Sequence, residues 1–200
     1  MNTNRTYKAS VFSKLFNNEV ILRELYGALE GGSLPADTPI TINTLSNVIF
    51  MGSINDISFE IGDRLVIVIE HQSTINPNMA FRILLYIARI YEKIIDKGRI
   101  YSSKKIIIPR PEFFVLYNGV KHFPKEAIYK LSDMFKSLSP LGLPEKMIPA
   151  LELIVRVINI NVGENEEIVR KCRTLSEYSA FIAKVREFMK EGNSREESIK

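Results

Sequence analysis

The sequence predicts an α/β protein with a mixed central sheet flanked by helices and a helical segment at its C-terminal end. Two features indicate the sheet: an uninterrupted apolar run at residues 65–69 and an alternating segment at 54–61. A long and strongly apolar helical pattern at 77–97 requires another layer to cover it. Strands followed by a helix and a further strand are typical of α/β folds rather than helical bundles.

The composition is that of an ordinary globular protein, with 46% hydrophobic and 25% charged residues in a chain of 200. This length suits one domain with a substantial core. The formal net charge of +4 weakly favours polyanionic partners. The single cysteine, Cys172, excludes an internal disulfide and favours a reducing cytoplasm. We expect no signal peptide and no membrane span, because the N-terminus is polar and no apolar run is long enough.

The first predicted element is a helix over residues 17–30. Its apolar residues recur at intervals of three and four, and Gly31 and Gly32 supply the end signal. The Pro- and Thr-rich stretch at 33–39 is predicted to be a loop, and residues 40–50 are predicted to form one or two strands.

A β-hairpin is predicted next, with strands at 54–61 and 64–72. The first strand alternates, so its apolar residues share one face: Ile57, Phe59 and Ile61. Gly62 and Asp63 form a tight-turn pair that folds the chain back on itself. The apolar centre of the second strand fits a buried position in the sheet.

The long helix at 77–97 is predicted to begin with Asn76 as its N-cap and Pro77 in its first turn, and to end before Gly98. Only a narrow polar stripe interrupts its apolar surface, formed by Arg82, Tyr86, Arg89 and Lys93. We therefore expect this helix to be sandwiched between the sheet and other elements.

A strong strand is predicted at 112–117, with Phe113, Phe114 and Tyr117 in the core. The following pair, Asn118 and Gly119, is a favoured hairpin turn.

The remaining elements are less regular in sequence. Three prolines make residues 137–149 an irregular segment, and residues 151–160 suit a strand, although a helix starting at Glu145 also fits. Thr174 and Glu177 have the spacing of a capping box and predict the start of the last helix.

The residues that could carry chemistry are Asp56 and the run Glu70-His71-Gln72. An unpaired carboxylate at the end of a buried strand costs several kcal/mol, so Glu70 needs a partner. One candidate is a divalent cation shared with Asp56, and the other is an ion pair with Arg82. Gln72 lies on the same side of the strand as Glu70, whereas His71 alternates away and would offer the ion only its backbone oxygen.

The length of the hairpin loop decides whether the two carboxylates meet. A strict two-residue turn at Gly62 and Asp63 would place Asn55 opposite Glu70. One additional residue, in a longer loop or a glycine bulge, would pair Asp56 with Glu70 directly. We predict the second arrangement. Without a cation, we expect one carboxyl group to be protonated or turned toward Arg82.

Three further segments extend this pattern: Ile-Glu-His-Gln-Ser-Thr at 69–74, Met-Ala-Phe-Arg at 79–82 and Phe-Phe-Val-Leu-Tyr-Asn-Gly at 113–119. Together with Asp56 they resemble the recombination-promoting nuclease / putative transposase family of the PD-(D/E)XK nuclease superfamily. The resemblance extends over residues 14–179, and the segment at 69–74 is its most specific part.

The resemblance implies a restriction-endonuclease-like core and a metal-dependent DNA endonuclease that hydrolyses phosphodiester bonds in recombination or transposition. The cofactor would be Mg²⁺ or Mn²⁺. Carried over by position, the metal ligands would be Asp56, Glu70 and the backbone oxygen of His71, completed by Glu19 or Glu24. Gln72 would be catalytic in place of the usual motif lysine, and Arg82 and Tyr86 would support the site.

The resemblance also implies a domain organisation, a partner and a cellular location. The nuclease-like core would occupy residues 1–162, with a helical extension at 163–200 packed on it. Members of the family tend to continue past Lys200, so the chain is expected to be shortened there. DNA is the expected partner, a homodimer is an expected assembly, and the cytoplasm is the expected location.

Two other classes of function stay open. The first is a catalytically inactive nuclease-fold module that binds DNA or protein. The second is a glycosidase-like carboxylate pair, disfavoured because the chain has no Trp to stack on sugars. A basic run after the long helix is either a solvated loop or a contact for the DNA backbone: Lys97, Arg99, Lys104, Lys105 and Arg110.

Overall fold

The computed structural model describes residues 11–43, 56–70, 74–137 and 148–192. In these residues six strands form one mixed sheet with helices on both faces, which confirms the predicted fold class. The strands are β1 (Ile40–Asn43), β2 (Asp56–Ile61), β3 (Arg64–Glu70), β4 (Arg110–Tyr117), β5 (Glu126–Lys130) and β6 (Ile154–Asn159). The helices are α1 (Glu19–Glu30), α2 (Met79–Ile94), α3 (Lys97–Ile100), α4 (Glu166–Lys171) and α5 (Arg173–Lys190), and residues 11–16 are also helical.

The sheet has the order β1-β2-β3-β4-β6-β5. Strands β1, β2 and β3 form an antiparallel meander, whereas β3, β4 and β6 run parallel to one another. Strand β5 is antiparallel to β6 and lies at the far edge. The carboxyl ends of β3, β4 and β6 therefore meet at one edge of the sheet, which we call the carboxyl edge.

Alternate residues of β4 divide the core into two layers. Phe114 and Leu116 join a cluster with residues of α1 and α5 on one face. Phe113 and Val115 join a second cluster with residues of α2 on the other face. A strand that buries both faces must be apolar throughout, which explains why residues 113–117 have no polar alternation.

The hairpin between β2 and β3 is confirmed, and its turn contains only Gly62 and Asp63 because Ile61 pairs directly with Arg64. Gly62 has a φ of 54°, which the two-residue turn requires and which other residue types adopt reluctantly. Ile57, Phe59 and Ile61 are buried on one face, as the alternation predicts.

Helix α1 also agrees with the prediction. The Asn18 side chain accepts hydrogen bonds from the backbone of Val20 and Ile21, and Gly31 ends the helix in the left-handed conformation with a φ of 75°. Strands β1 and β6 confirm strands predicted at 40–50 and 151–160, although residues 44–50 lie outside the described part of the chain.

The long helix is shorter at both ends than the predicted range of 77–97. Helix α2 begins at Met79, because Asn76 uses its side chain to accept from the backbone of Asn78 in a local turn. It ends at Ile94, and Gly98 lies within the separate short helix α3. None of the helices in the described residues is long and apolar enough to cross a membrane.

The prediction that this helix is sandwiched between layers was wrong. One side of α2 packs on the sheet through residues such as Ile83 and Ile87, while Phe81 and Leu85 on its outer side are 49% and 41% exposed. Tyr86, predicted in the polar stripe, is instead buried with the inner side.

The predicted hairpin turn at Asn118 and Gly119 was also wrong. The next strand, β5, pairs with β6 and not with β4. Gly119 is needed for space: a Cβ there would come within 2.7 Å of Cε2 of Tyr117, whose hydroxyl donates to the Lys121 carbonyl over 2.7 Å. The Asn-Gly pair therefore marks a close approach between side chain and backbone.

The capping box predicted at Thr174 and Glu177 does not begin the last helix. Helix α5 already begins at Arg173, so Thr174 lies within its first turn. Glu177 accepts from Arg173 over 2.7 Å, one turn along the same helix, and is therefore engaged in a different interaction.

Candidate functional site

The predicted acidic residues both lie at the carboxyl edge. Glu70 is the last residue of β3 and pairs with Leu116 of β4. Asp56 is the first residue of the antiparallel strand β2, so it begins at the edge where β3 ends. The fold therefore brings together two positions that are fourteen residues apart in sequence.

The predicted register of these two residues was wrong. Asp56 pairs with Ile69, one residue before Glu70, because the hairpin turn has two residues and no bulge. This register leaves about 6 Å between the Cα atoms of Asp56 and Glu70. Strict alternation assigns these two positions to opposite faces of the sheet, so a shared ligand requires both side chains to extend beyond the strand ends.

Several of the predicted site groups fall outside the described part of the chain. These are the side chains of Asp56 and Glu70 and the whole of His71 and Gln72. A metal site formed by them stays a prediction. In the described residues there is no group of three or more His, Cys, Asp or Glu side chains that could hold a metal ion.

The start of α2 lies near the carboxyl edge, as Met79 lines a small cavity together with Val115 and Tyr117. Arg82 follows one turn later and donates a weak hydrogen bond to the sulfur of Met79 over 3.5 Å. Tyr86 is only 5% exposed and packs in the core. Arg82 therefore lies one turn into the helix that begins near the carboxyl edge, whereas Tyr86 serves the packing of α2 on the sheet.

The two candidate carboxylates of α1 are both exposed. Glu24 lies near the junction of α4 and α5. Burial, with a smaller contribution from the Glu24 charge, raises the pKa of the Cys172 thiol at that junction to about 11. The charge of Glu24 thus acts on Cys172 and Arg173 at the junction of α4 and α5.

The basic run after the long helix lies at the opposite end of the sheet. Arg110 begins β4 and pairs with Arg64, which begins β3. Strand β3 has seven residues, so about 20 Å separates this end from Glu70. The residues at 97–110 are therefore not part of the carboxyl edge.

A polar cluster that the sequence did not reveal lies at the carboxyl edge. Arg186 of α5 donates to the backbone carbonyl of Asn118 and, over 3.0 Å, to Oδ1 of Asn161. Asn161 also donates to Asn159 and to the Gly119 carbonyl, over 2.8 and 3.1 Å. No spacing signal marks Arg186 in the sequence, because only the folding of α5 onto the sheet brings it here.

The comparisons with known proteins concern most of the chain. A family model described as "Putative transposase, YhgA-like" matches residues 56–191. The match begins at Asp56 and contains all the strands from β2 to β6. No curated protein and no solved structure matches the chain.

Proposed function

The chain belongs to the YhgA-like putative transposase family, and from this membership we propose that the protein is a metal-dependent DNA endonuclease. It would hydrolyse phosphodiester bonds in DNA as part of transposition or recombination. The observation that carries the proposal is the meeting of Asp56 and Glu70 at one edge of the sheet, inside the segment that matches the family.

The donor set suits a hard divalent cation. Two carboxylates and a backbone carbonyl offer only oxygen, which Mg²⁺ and Mn²⁺ prefer. With a Cα separation of about 6 Å, two acidic side chains that extend beyond the strand ends would reach one ion. The ligands would be Asp56, Glu70 and the backbone oxygen of His71. A bound Mg²⁺ would polarise the phosphodiester and lower the pKa of an attacking water. Glu19 or Glu24 would complete the set only if α1 brought one of them to the carboxyl edge.

The neighbouring residues have supporting roles in this proposal. Gln72 would use its amide to orient the attacking water or the phosphate, but it carries no charge. Arg82, near the start of α2, would hold the DNA backbone. The burial of Tyr86 favours a structural role for that residue.

A second candidate function is favoured by the register of β2 and β3. Because Asp56 pairs with Ile69, its position alternates to the face opposite that of Glu70. If the strand ends stay regular, the two carboxylates cannot share an ion. The protein would then be a catalytically inactive module of nuclease-like fold that binds DNA.

Cleavage of supercoiled plasmid with Mg²⁺ or Mn²⁺ tests the proposal. We expect nicked or linear product from the wild type, none with EDTA, and none from Asp56→Ala or Glu70→Ala. Asp63→Asn is the matched control, because Asp63 lies in the same hairpin at its opposite end and is exposed. Cleavage that survives both alanine substitutions would exclude the site. Salt-sensitive DNA binding without cleavage would favour the inactive module.

A further inference from the structure

The charge of Arg186 is held at the carboxyl edge, and among the described residues no carboxylate pairs with it. Its guanidinium is partly buried, and this burial lowers its pKa, although an arginine stays protonated at neutral pH. In the described residues its hydrogen bonds go to a backbone carbonyl and an amide oxygen, and none goes to a carboxylate. A partly desolvated cation that has only neutral partners favours an anionic ligand.

Asn118 supplies a second and independent observation. Its side chain is 1% exposed, yet neither its amide nitrogen nor its amide oxygen has a hydrogen-bond partner in the described part of the chain. Buried polar atoms are nearly always paired, so this amide has hydrogen-bonding capacity left for a further partner. Its own backbone carbonyl accepts a hydrogen bond from Arg186, so the two residues are direct neighbours at the carboxyl edge.

The surrounding hydrogen bonds fix this pair in position. Asn159 is buried and donates to the Phe123 carbonyl over 3.0 Å, while its Oδ1 accepts from Asn161 over 2.8 Å. Asn161 in turn presents its oxygen to Arg186. A guanidinium has five N–H donors, and these contacts leave others for a further acceptor.

The cluster lies close to the predicted metal ligands. Leu116 pairs with Glu70 in the parallel register, and Asn118 follows two residues later. Strand geometry then gives about 8 Å between the Cα atoms of Asn118 and Glu70. Helix α5 also packs on the same face of the sheet as Leu116, the residue level with Glu70.

We propose that Arg186 and the amide of Asn118 form a phosphate-binding site for the DNA backbone. This rests on the proposed function, because the anion is taken to be a phosphate of the DNA that reaches Glu70. Gln72 carries no charge, whereas Arg186 brings a cation to the carboxyl edge from a distant helix. A planar guanidinium can donate two parallel hydrogen bonds to phosphate oxygens.

Binding of a fluorescent DNA duplex in EDTA tests this site separately from cleavage. We expect Arg186→Gln to weaken binding roughly tenfold, as for loss of one charge-assisted hydrogen-bonded contact. Its dependence on salt should also flatten by about 0.9 in the log–log slope. Arg170→Gln is the matched control, because Arg170 is exposed and its ion pair within the described residues is with Glu166 on its own helix. Equal binding by the two variants would overturn the site.

Asn118→Ala is a second test that remains informative if Arg186→Gln fails to fold. The side-chain amide of Asn118 makes no hydrogen bond within the described residues, so its removal breaks none of them. The variant should keep the melting temperature of the wild type and still bind DNA several-fold more weakly. Inorganic phosphate should raise the melting temperature of the wild type more than that of Asn118→Ala. Wild-type affinity in Asn118→Ala, or no DNA binding by the wild type, would contradict the site. If the variants bind DNA more weakly but the wild type never cleaves it, the phosphate-binding site is supported and the proposed endonuclease activity is refuted.

Discussion

Asp56 lies directly opposite Ile69 on the neighbouring antiparallel strand, one residue short of Glu70. This offset follows from the two-residue turn at Gly62 and Asp63, which fixes the register along the whole hairpin. The two carboxylate positions thus share an edge of the sheet without facing each other across the ladder. A cation shared by Asp56 and Glu70 therefore has to lie beyond the ends of β2 and β3.

The opposite end of the sheet is held by a hydrogen-bonded triad. The Tyr26 hydroxyl donates to Glu112 over 2.6 Å and accepts from Arg64 over 2.7 Å, while Arg64 and Glu112 form an ion pair at 2.5 Å. Burial, followed by the hydrogen bond to Glu112, raises the pKa of Tyr26 above its ordinary value of 10.0.

Tyr26→Phe should therefore lower the free energy of unfolding by about 1–2 kcal/mol, because Glu112 loses a donor in a partly buried position. Urea denaturation measures the change. Tyr101→Phe is the control, because Tyr101 is 90% exposed and its hydroxyl can exchange partners with water. Equal midpoints for the two variants would show that the triad contributes nothing to stability.

Gly119→Ala should destabilise the fold by about 1–3 kcal/mol, the range typical of an overpacked site. The added methyl would overlap the ring of Tyr117, which is 1% exposed and cannot easily move aside. Gly32→Ala is the matched control, because a Cβ there meets no atom within 4 Å. Thermal unfolding followed by circular dichroism compares them, and a Gly119→Ala variant as stable as Gly32→Ala would refute the close packing.

The accuracy of the sequence-based predictions varied with the range of the interactions involved. The α/β class, helix α1 and the β2–β3 hairpin were predicted correctly, because periodicity and turn residues are local signals. Strand β6 agrees with one of the two alternatives that the sequence left open for its segment. The register predicted for Asp56 was wrong, because a loop longer or shorter by one residue shifts the partner of Asp56 by one position.

Long-range features were missed for a different reason. The Asn118-Gly119 pair resembles a hairpin turn locally, but β4 pairs with the distant β6, and strand β5 was not predicted at all. Arg186 could not be assigned to the site from sequence, since α5 must first fold across the sheet to bring it beside Asn118.

Cys172 should be inert in the folded protein. It is 0% exposed, and burial raises the pKa of its thiol to about 11, so at pH 8 it is neutral as well as inaccessible. A thiol reagent such as dithionitrobenzoate should modify it in urea but not in buffer. Rapid modification in buffer would show that the junction of α4 and α5 opens readily.

The raised thiol pKa also predicts a dependence of stability on pH. The folded value lies above the ordinary value of 9.0, so this contribution is complete below pH 9 and is lost as the pH rises through 11. Cys172→Ala removes the titrating group, and the stability difference between wild type and variant should narrow over that interval. A constant difference from pH 8 to pH 11 would contradict the shift.

Binding of Mn²⁺ followed by electron paramagnetic resonance tests most directly whether Asp56 and Glu70 share a cation. The wild type and Asp63→Asn should bind one ion with equal affinity, and Asp56→Asn and Glu70→Gln should each lose most of that affinity. Because both carboxylates would hold the same ion, the double variant should be hardly weaker than either single variant. Wild-type affinity in both single variants, or strictly additive losses in the double variant, would contradict a shared site.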